Sequence, residues 1–203
     1  MKKNLAIAFA LLGWFAVIAQ YVLMIENRVT STTEATIRFF SFFTILTNTL
    51  VAIYFTYVAL GKNSKLLNKP GALTAITVYI LVVGLVYQFV LRAIWEPTGL
   101  QKIVDELLHS VVPVTTLIFW YLYEEKSKIE LKSTVNWLIY PLIYLVFILL
   151  RGSISDFYPY PFVNVAEIGM PQVLTNSVVL LLVFIVLSTA FVWIGKRLPA
   201  KQK

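Results

Sequence analysis

Long apolar runs, each interrupted by only a few polar positions, alternate with short polar segments along the whole chain. A bilayer core about 30 Å thick is crossed by about 20 residues of α-helix. Runs of roughly that length fall at 4–25, 37–60, 72–93, 106–123, 134–150 and 171–194. The pattern predicts an all-α polytopic membrane protein, a six-transmembrane-helix bundle forming a single domain over residues 1–203. No internal repeat is visible. The first run has Gln20 as its only strongly polar interior residue and reads as packing and anchor. The segments 61–71 and 124–132 read as a plain turn and a solvated connector, and Trp95 in segment 93–102 suits an interfacial anchor.

Composition agrees with this reading. Hydrophobic residues make up 59% of the 203 positions and the mean hydropathy is +0.80, which excludes an ordinary soluble domain. The net charge of +7 does not point to nucleic acid, because the basic residues sit at the ends of apolar runs, where they set topology. With the amino terminus inside, the inner segments hold Lys2, Lys3, Lys62, Lys65, Lys69, Lys126, Lys128, Lys132, Lys196, Arg197, Lys201 and Lys203. The outer ones hold Arg28, Arg38, Arg92, Lys102 and Arg151. Both termini are therefore expected on the cytoplasmic face. The basic start followed by an apolar run resembles a signal peptide, but hydrophobicity continues through Ile25, so an uncleaved first helix is expected. With no cysteine, disulfides and thiolate chemistry are excluded.

The candidate chemistry lies in polar side chains inside the apolar runs. His109 is the only histidine, and an ionisable residue at membrane depth reads as functional by default. Pro113 lacks the amide hydrogen that the His109 carbonyl would accept, so the helix is expected to bend or open just past the histidine. Asp105 and Glu106 precede His109 by four and three residues, so either carboxylate can reach it and hold the imidazole tautomer. Both acids are equally explained as solvated charges favoured at a helix amino terminus. In the second run Ser41, Thr44 and Asn48 share a helical face with Thr47 beside them. Such groups commonly serve as interhelical hydrogen bonds or bond back to the preceding turn. Counted at 1.5 Å per residue, Thr44 lies about 9 Å below Arg38 and His109 about 6 Å below Asp105. These are compatible depths from the outer face. Histidine ordinarily titrates near pH 6.5, so it suits taking a hydroxyl proton and returning it to a leaving group, the requirement of nucleophilic acyl transfer.

Three motifs occur in order: Arg38-Phe39-Phe40-Ser41-Phe42-Phe43-Thr44 with Asn48, Leu108-His109-Ser110-Val111-Val112-Pro113, and Arg151-Gly152 leading to Tyr158-Pro159-Tyr160-Pro161-Phe162. Together they resemble the androgen-induced and androgen-dependent TFPI-regulating membrane proteins, and more closely their bacterial six-helix relatives. The animal members are threonine hydrolases of fatty acid esters of hydroxy fatty acids. By motif position the resemblance implies Thr44 as nucleophile and His109 as base, with Tyr160-Pro161-Phe162 as the aromatic-proline loop. The histidine-to-proline spacing is four here, against five in the animal proteins, and Phe119 stands where many bacterial relatives carry an acid before the tryptophan.

The expected function is an intramembrane hydrolase of lipid esters in a bacterial inner membrane, its active face turned outward. Thr44 and His109 are the expected catalytic pair. Arg38, Asn48, Asp105, Arg151, Tyr158 and Tyr160 are the expected supporting or substrate-binding residues. Arg38, Arg92 or Arg151 suits a carboxylate or phosphate on the substrate, although snorkelling explains each one singly. The expected partner is a membrane lipid or fatty acid ester, with no nucleic acid, no cofactor and no metal. Glu106-x-x-His109 has the spacing of a di-iron ligand pair, but the second such pair is missing. The alternative is a non-catalytic lipid-binding protein or small transporter.

Overall fold

The computed structural model describes residues 1–62 and 64–198. Lys201 and Lys203, assigned above to inner segments, lie outside the described residues. Every regular element among the described residues is helical. Among the described residues five helices are long and apolar enough to cross a membrane: α1 (Lys2–Glu26), α4 (Ala72–Leu91), α5 (Gly99–Tyr123), α6 (Ser133–Ser155) and α7 (Val165–Arg197). A sixth span exists if the bent pair α2 (Thr32–Phe39) and α3 (Phe43–Ala59) is counted as one. α4 is the most enclosed helix, with Val78 and Ile80 sealed from the surface. α6 and α7 turn Leu142, Ile143, Val146, Val179, Leu182 and Val186 outward. Apolar surface on that scale is stable only against lipid or another apolar partner.

The second run is not one helix. α2 and α3 meet at 71°, so the continuous span expected over 37–60 is broken. At the break the Ser41 and Phe42 amides turn back to the Arg38 and Phe39 carbonyls, and Phe42 adopts an extended backbone (ψ 126°). Three ring contacts hold this geometry: Phe39 on Phe40, and Phe42 on both Phe157 and Tyr160. The break puts a helix amino terminus inside the protein one residue before Thr44, where the Ile45 and Leu46 amides donate to the Phe42 carbonyl and the Thr44 amide turns to a side chain. The face proposed for Ser41, Thr44 and Asn48 is interrupted as well. Ser41 bonds back to the Ile37 carbonyl at 2.8 Å, and Thr47 meets the Tyr140 hydroxyl at 3.1 Å.

Two helices open locally into the wider π register, α4 at Tyr87–Leu91 and α5 at Leu107–Val111. The opening at Pro113 thus lies around His109 rather than beyond it. In α5 the Val112 amide bonds to the Leu107 carbonyl, and in that register the partner of the Leu108 carbonyl is Pro113, which has no N–H to give. Asn48 supplies the missing donor from α3, 3.2 Å away. The His109 carbonyl in turn presses on Gly84 of α4, where a Cβ would stand 2.9 Å from it. Glycine is what lets these two helices approach so closely.

Segment 124–132 differs from a solvated connector at its start. Glu124 accepts from the Thr74 amide (3.0 Å) and hydroxyl (3.1 Å), capping α4 from a neighbouring element. Burial raises its carboxyl above the ordinary range.

Candidate active site

Thr44 and His109 meet. Thr44 Oγ1 lies 3.3 Å from His109 Nε2, and both side chains are buried. The other ring nitrogen fixes the direction of this bond. Nδ1 is 2.9 Å from the Asp105 carbonyl oxygen, which can only accept, so Nδ1 carries the hydrogen in the neutral ring. Nε2 is then a bare acceptor, and the threonine hydroxyl donates to it. The Asp105 carboxylate reinforces the arrangement, with Oδ1 3.4 Å from Nδ1 and Oδ2 buried with no partner among the described residues. Of the two acids considered, Asp105 is the one beside the ring. Glu106 faces away, pairing with Arg92 and accepting from Ser110 Oγ at 2.6 Å.

Tyr160 completes the chain of hydrogen bonds. The Thr44 amide donates to its hydroxyl oxygen at 3.1 Å, and its hydroxyl stands 3.2 Å from Thr44 Oγ1. Having accepted from the amide, the phenol has its own proton free for Oγ1. Burial pushes the Tyr160 phenol above its ordinary pKa, so it is a proton donor throughout the neutral range. Thr44 sits in the first turn of α3, where the helix dipole favours negative charge. Asn48 binds the Thr44 carbonyl (2.9 Å) together with the Leu108 carbonyl, linking the elements that carry hydroxyl and imidazole.

Tyr87 packs flat on the imidazole, with ring centroids 4.2 Å apart and planes 14° from parallel. The paired π turns set this stack, and Gln88 on one turn donates to Ser110 on the other at 2.9 Å. Mid-helix π turns often accompany functional sites. Nothing in the sequence marked Tyr87, because one aromatic in an apolar run looks like any other.

Beside the pair lies a cavity of about 950 Å³, within the range of small-molecule and lipid pockets. Thr44, His109, Asp105, Tyr87 and Tyr160 line it together with apolar Leu23, Met24, Leu91, Ile94 and Leu108. Arg28, Arg38, Trp95 and Thr98 also contribute. Gln20 lines it as well and accepts from Gln101 at 2.8 Å, so α1 is more than an anchor.

The arginines are already partnered. Arg38 (2.8 Å) and Arg151 (2.7 Å) share the Glu34 carboxylate, and the Arg38 guanidinium also lies over Phe157 at 4.5 Å. Arg38 still lines the cavity, whereas Arg151 does not and ties α6 to α2. Glu34 escaped the sequence reading, although Ser31 and Glu34 have the spacing of a helix-start motif. The Ser31 hydroxyl does accept from the Glu34 amide at 3.2 Å. Tyr158 is off the cavity wall and lies against Gly152.

No protein-family model, curated protein or solved structure matches this chain.

Proposed function

We propose that the protein is an intramembrane hydrolase of lipid esters, similar in chemistry to the threonine hydrolases whose motifs its sequence resembles. The observation that carries this reading is the Thr44 hydroxyl donating to an imidazole of fixed tautomer at the wall of a lipid-sized, largely apolar cavity. In the proposed reaction Thr44 Oγ1 attacks the ester carbonyl carbon as His109 Nε2 removes the hydroxyl proton. The tetrahedral intermediate collapses when the same proton passes to the departing alkoxide, leaving an acyl-threonine and a free alcohol. Water, deprotonated by His109, then attacks the acyl carbon; the bond to Thr44 Oγ1 breaks, the proton passes from His109 to that oxygen, and the fatty acid is released. Asp105 holds the ring and stabilises its protonated form. Tyr160 and the start of α3 supply hydrogen-bond donation and positive potential where the oxyanion develops. Six spans, both termini on the cytoplasmic side and a site facing outward complete the proposal.

A fluorophosphonate probe tests the nucleophile directly. Intact-mass measurement is expected to show one adduct, mapped by peptide sequencing to Thr44 and missing from Thr44→Ala. Labelling that persists undiminished in that variant sinks the assignment. Tyr160→Phe keeps the ring contacts and removes the hydroxyl. Its kcat on a nitrophenyl ester is expected to fall roughly 10²–10³-fold with little change in KM, as for loss of one oxyanion donor. An unchanged kcat removes Tyr160 from the mechanism.

A further inference from the structure

The opposite end of the bundle holds a second cavity, of about 560 Å³, between the start of α1, the end of α3, the start of α4 and the end of α5. Lys2, Lys3, Lys62 and Lys69 line it. Among the described residues none of the four forms an ion pair. The two acids on its wall are committed elsewhere, Glu124 to Thr74 and Glu125 to Lys128 at 2.6 Å. Four ammonium groups therefore face two carboxylates, of which Glu125 is paired with Lys128, and the cavity keeps an excess of positive charge.

A second observation is independent of charge. Tyr57 and Tyr123 also line the cavity, and each hydroxyl is buried with no hydrogen-bond partner among the described residues. Buried polar groups are nearly always satisfied, so two unsatisfied hydroxyls in one cavity point to a group that bonds them when present. Lys2 Nζ lies 5.8 Å from the centroid of the Tyr123 ring, which brings an ammonium and a phenol together.

We propose that this cavity binds a phosphate group, presented by the headgroup of an anionic phospholipid. Several acceptor oxygens on one centre can meet ammonium and hydroxyl donors arriving from different helices, as a single carboxylate cannot. The lipid source follows from the rest of the wall. Val58, Leu67 and Leu73 offer apolar surface that a bare ion does not use, and the site lies at the ends of membrane-spanning helices, where headgroups are found. The site is separate from Thr44 and does not depend on hydrolysis there.

The test uses the purified full-length chain in mild detergent and measures lipid retained after washing by native mass spectrometry, with the thermal midpoint as a second readout. Phosphatidylglycerol is compared with a galactosyl diacylglycerol of the same acyl chains, and with inorganic phosphate at matched concentration. Phosphatidylglycerol is expected to be retained and to raise the midpoint, and the galactolipid to do neither. Tyr57→Phe with Tyr123→Phe preserves both rings and every lysine, and is expected to lower retention about tenfold or more. Lys3→Gln with Lys62→Gln is expected to lower it as well. If inorganic phosphate raises the midpoint equally and the double phenylalanine variant abolishes that rise, the phosphate site stands with the free ion as its source. Equal retention of the galactolipid, or phosphatidylglycerol binding unchanged in both double variants, overturns the proposal.

Discussion

Purified protein carrying Thr44→Ala is expected to hydrolyse a long-chain nitrophenyl ester at about the background rate, a fall in kcat on the order of 10⁴–10⁶-fold, and His109→Ala is expected to do the same. The double variant should lose no more than either single one. This non-additivity is the informative part. A hydroxyl that donates to a bare imidazole nitrogen is a nucleophile only while that nitrogen is there, and the imidazole has no proton to take once the hydroxyl is gone. Thr44→Ser keeps the oxygen and is expected to retain measurable turnover, separating loss of the nucleophile from loss of the methyl group. Steady-state kinetics on the four proteins decides it. If both alanine variants turn over like the wild type, the hydroxyl–imidazole pair does no chemistry and a lipid-binding protein is the better reading.

That cavity walls a hydroxyl, an imidazole and a phenol together follows from three local departures from regular helix. The break at 40–42 starts α3 beside Thr44, so the positive end of that helix's dipole lies at the Thr44 hydroxyl, inside the bundle. The π turn at Leu107–Val111 releases the Leu108 carbonyl to Asn48, which locks α5 to α3 at the level of the pair. The facing π turn in α4 sets Tyr87 flat on the ring, so the imidazole is held by a hydrogen bond at its edge and by a stack on its face. A regular six-helix bundle with the same residues would have none of these restraints.

These departures were the part of the structure that the sequence concealed. The all-helical architecture and the approximate places of the apolar runs were legible, because bilayer thickness fixes how long such a run must be, but α5 begins at Gly99 and α6 covers Ser133–Ser155, both longer than the runs read at 106–123 and 134–150. His109, Thr44 and Asn48 stood out because polar side chains are costly in such runs. The break was hidden because segment 38–44 contains neither glycine nor proline, and ring contacts with residues more than a hundred positions away hold it. Arg38 and Thr44 stand on different helices, so Thr44 reaches the level of His109 through the 71° break and not by helical rise from Arg38. Pro113 did announce an opening, but its register depended on Asn48 and Gly84, both remote in sequence. Glu124 looked solvated among neighbouring lysines, and only the packing of α4 against its carboxylate shows that it is a cap.

Gly152→Ala is expected to impair hydrolysis although it lies outside the cavity. A Cβ there would overlap Tyr158 Cε1 and Cζ, so the tyrosine ring must leave its seat on α6. That ring begins the segment carrying Tyr160, which runs from Asp156, in the left-handed region at φ 54°, to a short turn at Pro161–Val163. The far end of the segment is pinned: Asn176 donates to the Phe162 carbonyl at 2.9 Å, and the Asn164 side chain accepts from the Ala166 amide at 3.2 Å. Displacement at Tyr158 is therefore taken up between it and Phe162, the stretch that sets the Tyr160 hydroxyl against Thr44. Overpacking of this kind costs about 1–3 kcal/mol of stability. Displacing one oxyanion donor costs roughly 10²–10³-fold in kcat. Removing the obstructing ring as well, in Gly152→Ala with Tyr158→Ala, should restore part of the lost turnover, because the new methyl group then has room and Tyr160 can return. A Gly152→Ala protein with wild-type kcat and thermal midpoint would show that the tyrosine seat on α6 does not govern the position of Tyr160.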